Sequence, residues 1–207
     1  MMTFFLNVKQ HIALNIKIYA IIFIAFTVGA LVAAFSVFNL SESQTKELML
    51  YLGDYFDNIN KSGADKTLIL KISVLDNLKT YFLAVMFALM VIGAPFIVLI
   101  CAVGGYTAFF TLILLFKCYG IKAILFVLTG LLPHWIILLP LYGFFMADCL
   151  KFSLAVLNGA KNKRPIKSVG AFLLTAFIVF LCSACASLLC AYVEPWLVSF
   201  VAKFYIA

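Results

Sequence analysis

Two sets of side chains in this sequence could do chemistry: a histidine inside an apolar segment, and six cysteines. His134 lies in TGLLPHWIILLPLYGFF, residues 129–145, after Pro133 and before Pro140. An imidazole there could act as a general base or ligate a metal, and both roles need further polar partners. The nearest downstream carboxylate, Asp148, is 14 residues away, roughly 21 Å along an unbroken helix. We therefore favour an architectural role, in which a neutral His134 bonds backbone carbonyls freed by the prolines.

The six cysteines include a Cys-x-x-Cys pair at Cys182 and Cys185. This spacing occurs in redox motifs and zinc sites, but a structural zinc site needs four ligands, and no second pair or histidine is near in sequence. We interpret the cysteines as reduced side chains of apolar helices. The sequence also has no HExxH zinc helix and no GxSxG nucleophile elbow. It therefore predicts a protein that is not an enzyme, with no catalytic residue, no cofactor and no bound metal.

Composition places these residues in a lipid bilayer. Hydrophobic residues make up 66% of the 207 residues and charged residues 11%, against about 45–50% and about 25% in soluble domains. Four stretches contain no Asp, Glu, Lys or Arg, namely 18–38, 80–116, 123–147 and 168–193. Because a span needs about 20 apolar residues, three of these stretches fit one span each and the 37-residue stretch fits two short ones.

We therefore predict an all-α integral membrane protein, a single domain over 1–207 with about five transmembrane helices. The long stretch is interpreted as a hairpin that turns at Gly104-Gly105, because paired glycines tolerate the backbone angles of a tight turn. The alternative is one long helix broken at Gly93-Ala94-Pro95. The predicted spans are 18–38, 80–100, 104–117, 123–147 and 168–193.

The distribution of lysine and arginine predicts the orientation, because these residues favour short cytoplasmic loops. The basic loop 150–167 holds four lysines and one arginine and no acid, and the N-terminal segment holds Lys9 and Lys17. The loop 39–79 carries six acidic residues beside five lysines. We predict a cytoplasmic N-terminus and basic loop, although Lys117 and Lys122 then lie outside. The basic loop lacks the aromatic residues and the fold of a nucleic-acid site, so we predict no nucleic-acid partner.

Two segments outside the bilayer carry apolar helical faces. Ser41 and Gln44 have the spacing of a capping box, and an i, i+3, i+4 pattern follows at Leu48, Tyr51, Leu52, Tyr55, Phe56 and Ile59. A second apolar pattern over 68–78 completes a predicted extracytoplasmic helical hairpin. The tail 194–207 starts with Glu194-Pro195 and places Trp196 and Phe200 on one face, which predicts an interfacial helix. Each face could lie on lipid headgroups, pack within the protein, or bind another protein.

The order of these features resembles the stage II sporulation protein M family. The motifs that carry the resemblance are Gly93-Ala94-Pro95, Gly104-Gly105 and LLPHWIILLP at 131–140. The wider superfamily has a Pro-His-Gly-x-x-Glu-Leu-Pro pattern in this span, and the present chain has Trp135 in place of its glycine and Leu138 in place of its glutamate. The loss of that glutamate weakens any functional histidine–glutamate pair at His134 and any transport or proton role built on such a pair.

The resemblance implies a non-enzymatic membrane scaffold of the engulfment machinery in endospore-forming bacteria. Such a scaffold recruits two cell-wall hydrolases, the stage II sporulation proteins D and P, to the septal membrane, a part of the bacterial cytoplasmic membrane. The residues expected to bind partners are Leu48, Tyr51, Leu52, Tyr55, Phe56, Ile59, Trp196 and Phe200. Those expected to shape the helices are Gly93, Pro95, Gly104, Gly105, Pro133, His134 and Pro140. Self-association is compatible with this sequence.

Two other functions fit parts of the pattern. Helices interrupted by glycine and proline are where transporters bind substrates, which makes a transporter or permease subunit the main alternative, although the sequence has no internal repeat. The third class is an intramembrane hydrolase that uses His134.

Overall fold

The computed structural model describes residues 13–50, 66–162 and 169–206, and the regular elements in these ranges are helices. Helix α1 is Ile16–Phe38, and α2 begins at residue 42 and is described to residue 50. The longer helices that follow are α3 Lys66–Leu89, α4 Ala94–Tyr119, α5 Leu132–Asn162 and α6 Val169–Ile206.

Four segments are long and apolar enough to cross a membrane. They are Ile16–Phe38, Ala94–Tyr119, Trp135–Gly159 and Val169–Leu188. Helix α3 is not among these four segments; it carries four charged residues in its first 14 positions, and its second half is apolar. The structure therefore gives an all-helical, multi-pass membrane protein with four candidate spans among the described residues, and the fifth span stays a prediction.

The helix break in the long uncharged stretch lies at 90–93. Helix α3 ends at Leu89, the Gly93 amide donates to the Met90 carbonyl at 3.2 Å, and α4 begins at Ala94 with Pro95 in its first turn. The predicted turn at Gly104-Gly105 is wrong, and so are the boundaries of the predicted spans 80–100 and 104–117. The physical reason is that proline ends the preceding helix and suits the first turn of the next, whereas a glycine pair inside a membrane helix can serve close helix packing.

The connection from α4 to α5 is a series of short helical turns. Gly120 has a φ of 58°, which ends α4 in the left-handed region that favours glycine. A 3₁₀ turn Gly120–Lys122, one α-helical turn and a π-helical segment Val127–Leu131 then lead into α5. Irregular helical turns therefore occupy the start of the predicted span 123–147.

Helices α5 and α6 are both longer than predicted. Helix α5 continues to Asn162 and so includes most of the predicted loop 150–167, while residues 163–168 lie outside the described residues. Helix α6 continues through position 195 to Ile206, so the predicted tail helix 194–207 is a continuation of the span and not a separate element. Proline is tolerated within a membrane helix where neighbouring groups take up the freed carbonyl.

Contacts between the helices fix their directions. On α1 and α4 the paired residue numbers rise together, from Phe26 against Gly105 to Val37 against Lys117, so these two helices are parallel. On α4 and α5 they run in opposite senses, from Gly93 beside Ser153 to the Ile100 carbonyl beside the Tyr142 hydroxyl. Helix α3 folds back along α4 from the 90–93 turn and is therefore antiparallel to it.

The remaining contacts place α6 alongside α3 and α5. The rings of Phe152 and Phe172 stack with centroids 4.2 Å apart, and further along α6 the Ser187 hydroxyl accepts from Asn77 at 3.0 Å. The bundle consequently has two ends. The turn end contains the start of α1, the 90–93 turn and Asn162, and the loop end contains Phe38, the start of α3, Tyr119 and the end of α6.

The buried core includes residues of α3, α4, α5 and α6. The rings of Tyr81 and Phe145 contact edge to face with centroids 4.9 Å apart, and Ile97, Cys101 and Cys149 beside them are fully buried. Large apolar side chains elsewhere face outward, as expected for helices whose surroundings are hydrocarbon and not water.

Candidate functional site

Helices α1 and α4 approach each other closely along one seam. A Cβ at Gly29 would overlap the Ala102 carbonyl, and a Cβ at Gly105 would overlap the Phe26 carbonyl. The two backbones are therefore in direct contact, which is the packing that small residues allow in membrane helices. Gly105 admits a neighbouring helix and does not form a turn.

The 90–93 turn is packed as tightly. A Cβ at Gly93 would overlap the Phe87 carbonyl and lie 3.1 Å from the Ser153 hydroxyl of α5. Pro95 follows in the first turn of α4, where its missing amide costs no hydrogen bond. These two predicted architectural residues therefore set the angle between α3 and α4.

Gly104 makes room for a side chain of α5. The Tyr142 hydroxyl donates to the Ile100 carbonyl at 3.1 Å, and a Cβ at Gly104 would lie 2.6 Å from that hydroxyl oxygen. Tyr142 thereby ties α5 to α4 two residues after Pro140, which lies inside α5.

This contact gives a prediction that a double-mutant cycle can test. Gly104→Ala will lower the melting temperature of the purified protein because its methyl group displaces the Tyr142 hydroxyl and breaks a bond worth about 1 kcal/mol. Tyr142→Phe will cost a similar amount, and adding Gly104→Ala to it will cost less than Gly104→Ala alone, because the displaced atom is already absent. Gly143→Ala, where a Cβ meets nothing within 4 Å, is the control. Additive losses in the double variant would contradict the proposed clash.

Two polar contacts at the loop end were missed by the sequence analysis. Ser73 and Asn77 of α3 donate to the Ser187 hydroxyl at 3.1 Å and 3.0 Å. The Lys117 ammonium donates to the carbonyls of Val37 and Leu40 at 2.8 Å and 3.3 Å. Lys117 thus bonds to carbonyls at the C-terminus of α1, where a cation is favourable.

The predicted partner-binding segments both start from the loop end. The capping box forms as predicted. The backbone N–H of Gln44 donates to the Ser41 hydroxyl at 3.3 Å, and the backbone N–H of Ser41 donates to the side-chain oxygen of Gln44 at 3.1 Å. Leu48 of α2 is half-buried and Leu50 is 71% exposed. The other five predicted binding residues of this segment lie outside the described residues; they are Tyr51, Leu52, Tyr55, Phe56 and Ile59. Trp196 and Phe200 lie on α6, and their side chains are outside the described part.

Comparison with known protein families identifies the family of this chain. A family model described as Stage II sporulation protein M matches residues 21–195, from the second turn of α1 to the distal part of α6. The chain belongs to this family. The resemblance seen in the sequence motifs is therefore confirmed, and the protein is a sporulation-related membrane protein. Neither the search of curated proteins nor the search of solved structures returned a match.

The stage II sporulation protein M match includes the Pro133-His134 segment. Both residues lie in the first turn of α5, where Pro133 is compatible with helical geometry. The His134 side chain lies outside the described residues, so its architectural role stays a prediction.

The cysteines of this family member are distributed over several helices. Cys101 and Cys149 are buried in the core, Cys182 and Cys185 are exposed on α6, and each of them is free. Within the ranges 13–50, 66–162 and 169–206, no group of three or more His, Cys, Asp and Glu side chains is placed to hold a metal ion.

Proposed function

We propose that the chain is a non-enzymatic membrane scaffold that recruits and localises peptidoglycan hydrolases, the stage II sporulation proteins D and P. In this role it would act at the septal and engulfing membrane during septal thinning and forespore engulfment. The observation that carries the proposal is membership of the stage II sporulation protein M family over residues 21–195.

The arrangement of the helices supports this role. Helix α6 has 38 residues and is about 57 Å long, which exceeds the hydrocarbon thickness of about 30 Å. Its distal part therefore extends past the loop end, and α2 follows α1 at that same end. Two helical segments at one end of the bundle could form a single docking platform for a partner.

The helix directions support five crossings of the membrane. Helices α1 and α4 are parallel, so both cross the membrane in the same direction. The chain must therefore cross back once between the end of α1 and the start of α4. Helix α3 has 24 residues, about 36 Å, and is long enough to supply that crossing. We infer five crossings in total, with α3 as the second.

Charge then assigns the two ends. The turn end carries Lys17 and Lys161, and the chain between Asn162 and Val169 adds Lys163 and Arg164. Since short basic segments favour the cytoplasm, the N-terminus lies inside and the loop end lies on the extracytoplasmic side. That is the compartment where peptidoglycan and its hydrolases are located.

The test is co-purification of the two hydrolases with the tagged full-length chain from a common membrane. A variant carrying Leu48→Asp, Leu50→Asp, Trp196→Ala and Phe200→Ala should insert normally and retain at least tenfold less hydrolase. Leu14→Asp is the matched control, because Leu14 is 77% exposed and lies at the opposite end. Undiminished hydrolase recovery in the fourfold variant would overturn the assignment of these surfaces, and no recovery with the unaltered chain would overturn the scaffold role.

The transporter alternative loses one of its arguments. It relied in part on a helix broken at Gly104-Gly105, and α4 is continuous through that pair. The glycines there serve helix packing and the Tyr142 contact.

A further inference from the structure

A groove lies between α3 and α4, which diverge from the tight turn at 90–93. Its volume is about 510 Å³, and α5 forms its floor with Leu138 and Leu139. Leu83 of α3 and Leu99 and Val103 of α4 form its edges and are 47%, 58% and 54% exposed. The groove is therefore apolar, partly open to the surrounding lipid, and within the range of about 300–1,000 Å³ found for small-molecule sites.

The groove lies at the middle depth of the bundle. Phe26, near the centre of α1, contributes to its wall. Groups that reach this depth from outside are hydrocarbon chains or other helices. Ten residues of a partner helix, at about 10–12 Å diameter, would occupy on the order of 1,400 Å³, which is too large for the groove. One hydrocarbon chain fits better.

The end of the groove away from the turn is polar. Asn77 and Thr80 of α3 and Thr107 of α4 line it there. Residues four apart lie on the same face of a helix. Asp76 therefore shares a face with Thr80, and Lys79 shares a face with Leu83, each one turn nearer the loop end. The hydrocarbon-lined part thus leads directly to one carboxylate and one ammonium.

The charged pair needs a polar neighbour. Lys79 Nζ and Asp76 Oδ1 are 3.3 Å apart, and their side chains are 71% and 67% exposed. Charged side chains on the lipid-facing side of a membrane helix are costly unless they meet water, a headgroup or another polar group. A headgroup that carries both a phosphate and a primary amine complements both charges, with phosphate at Lys79 and amine at Asp76. A purely anionic headgroup would place its phosphate beside the Asp76 carboxylate without compensation.

We propose that the groove between α3 and α4 binds one acyl chain of phosphatidylethanolamine, with the headgroup at Asp76 and Lys79. The acyl chain lies along Leu83, Leu99 and Val103 toward the 90–93 turn. This site is independent of the hydrolase-binding surfaces, because it uses the outer face of the α3–α4 hairpin and not α2 or the distal part of α6.

The experiment measures lipid retained by the full-length protein. The chain is purified in detergent, supplied with equal amounts of phosphatidylethanolamine and phosphatidylglycerol, and analysed by native mass spectrometry. The unaltered protein should retain phosphatidylethanolamine at least fivefold over phosphatidylglycerol. Val103→Trp, which fills the groove, should reduce retained phosphatidylethanolamine at least fivefold. Ile24→Trp, on an α1 position that is 61% exposed and does not line the groove, should retain as much as the unaltered protein.

A second variant separates the headgroup from the acyl chain. Asp76→Asn keeps the side-chain size and changes an exposed position, so folding should be preserved, and it should abolish the preference between the two lipids while one lipid stays bound. The proposal is overturned if Val103→Trp retains as much lipid as Ile24→Trp, if the unaltered protein shows no preference, or if the preference survives Asp76→Asn. Retention of a second copy of the chain in place of lipid would also overturn it.

Discussion

Gly29→Ala and Gly105→Ala will each destabilise the helix bundle, and the double variant will not be recovered as a folded protein. Each added Cβ meets a backbone carbonyl of the opposing helix, so the two helices must separate and their packing is lost. Overpacking of this kind costs about 1–3 kcal/mol per site, and the two losses fall on one seam. Fluorescence-detected size-exclusion chromatography after a temperature series measures the loss directly.

The matched control is Gly143→Ala on α5. A Cβ there meets nothing within 4 Å, and alanine is favoured over glycine inside a helix by about 1 kcal/mol. The control should therefore melt at the same temperature as the unaltered protein or higher. If Gly29→Ala behaved like Gly143→Ala, the close approach of α1 and α4 would be refuted.

A cysteine at position 92 will be hidden from membrane-impermeant maleimide in intact cells, and one at position 43 will be labelled. Ile92 is 71% exposed in the turn between α3 and α4, and Ser43 is exposed at the opposite end of the bundle. If α3 crosses the bilayer, the two positions lie on opposite sides, and Ile92→Cys reacts only after the membrane is permeabilised.

The unaltered chain is the background control for this labelling. The five free cysteines among the described residues lie inside candidate spans, where the bilayer limits the access of a water-soluble reagent; they are Cys101, Cys118, Cys149, Cys182 and Cys185. Asn158→Cys, near the turn end of α5, should give the same labelling result as Ile92→Cys. Labelling of Ile92→Cys in intact cells together with Ser43→Cys would show that α3 does not cross, and the chain would then have four spans.

Hydrophobic runs predicted the positions of the helices well and their ends poorly. The run 18–38 corresponds closely to α1, because its limits are set by charge and length alone. The stretch 80–116 was misread, since the sequence offers two candidate breaks and glycine pairs occur both in turns and in packed helices. Only the packing of α1 against α4 shows that Gly105 is a glycine of a packed helix and not of a turn. The apolar pattern over 68–78 did predict a helix where α3 begins, but it gave no sign that the polar side chains of this segment bond to α6.

In the candidate site, contacts between residues close in sequence were predictable and contacts between distant residues were not. The Ser41 capping box was predictable because its partners are three residues apart. The roles of Lys117 and Ser187 were not, since their partners are 77–80 and 110–114 residues away in sequence. Lys117 was counted against the predicted orientation, although its ammonium is engaged by carbonyls of α1. Long-range polar contacts of this kind become visible only when the helices are packed.

The seam between α1 and α4 also sets an order of events during synthesis. Gly29 and Gly105 are 76 residues apart, so at about 5–20 residues per second the ribosome needs about 4–15 s to deliver the second glycine after the first. Throughout that interval α1 lies in the bilayer without the helix that covers its small residues. Its permanent neighbour arrives only after the α3–α4 turn has been made, so the nascent chain must insert a complete hairpin before its first helix can dock.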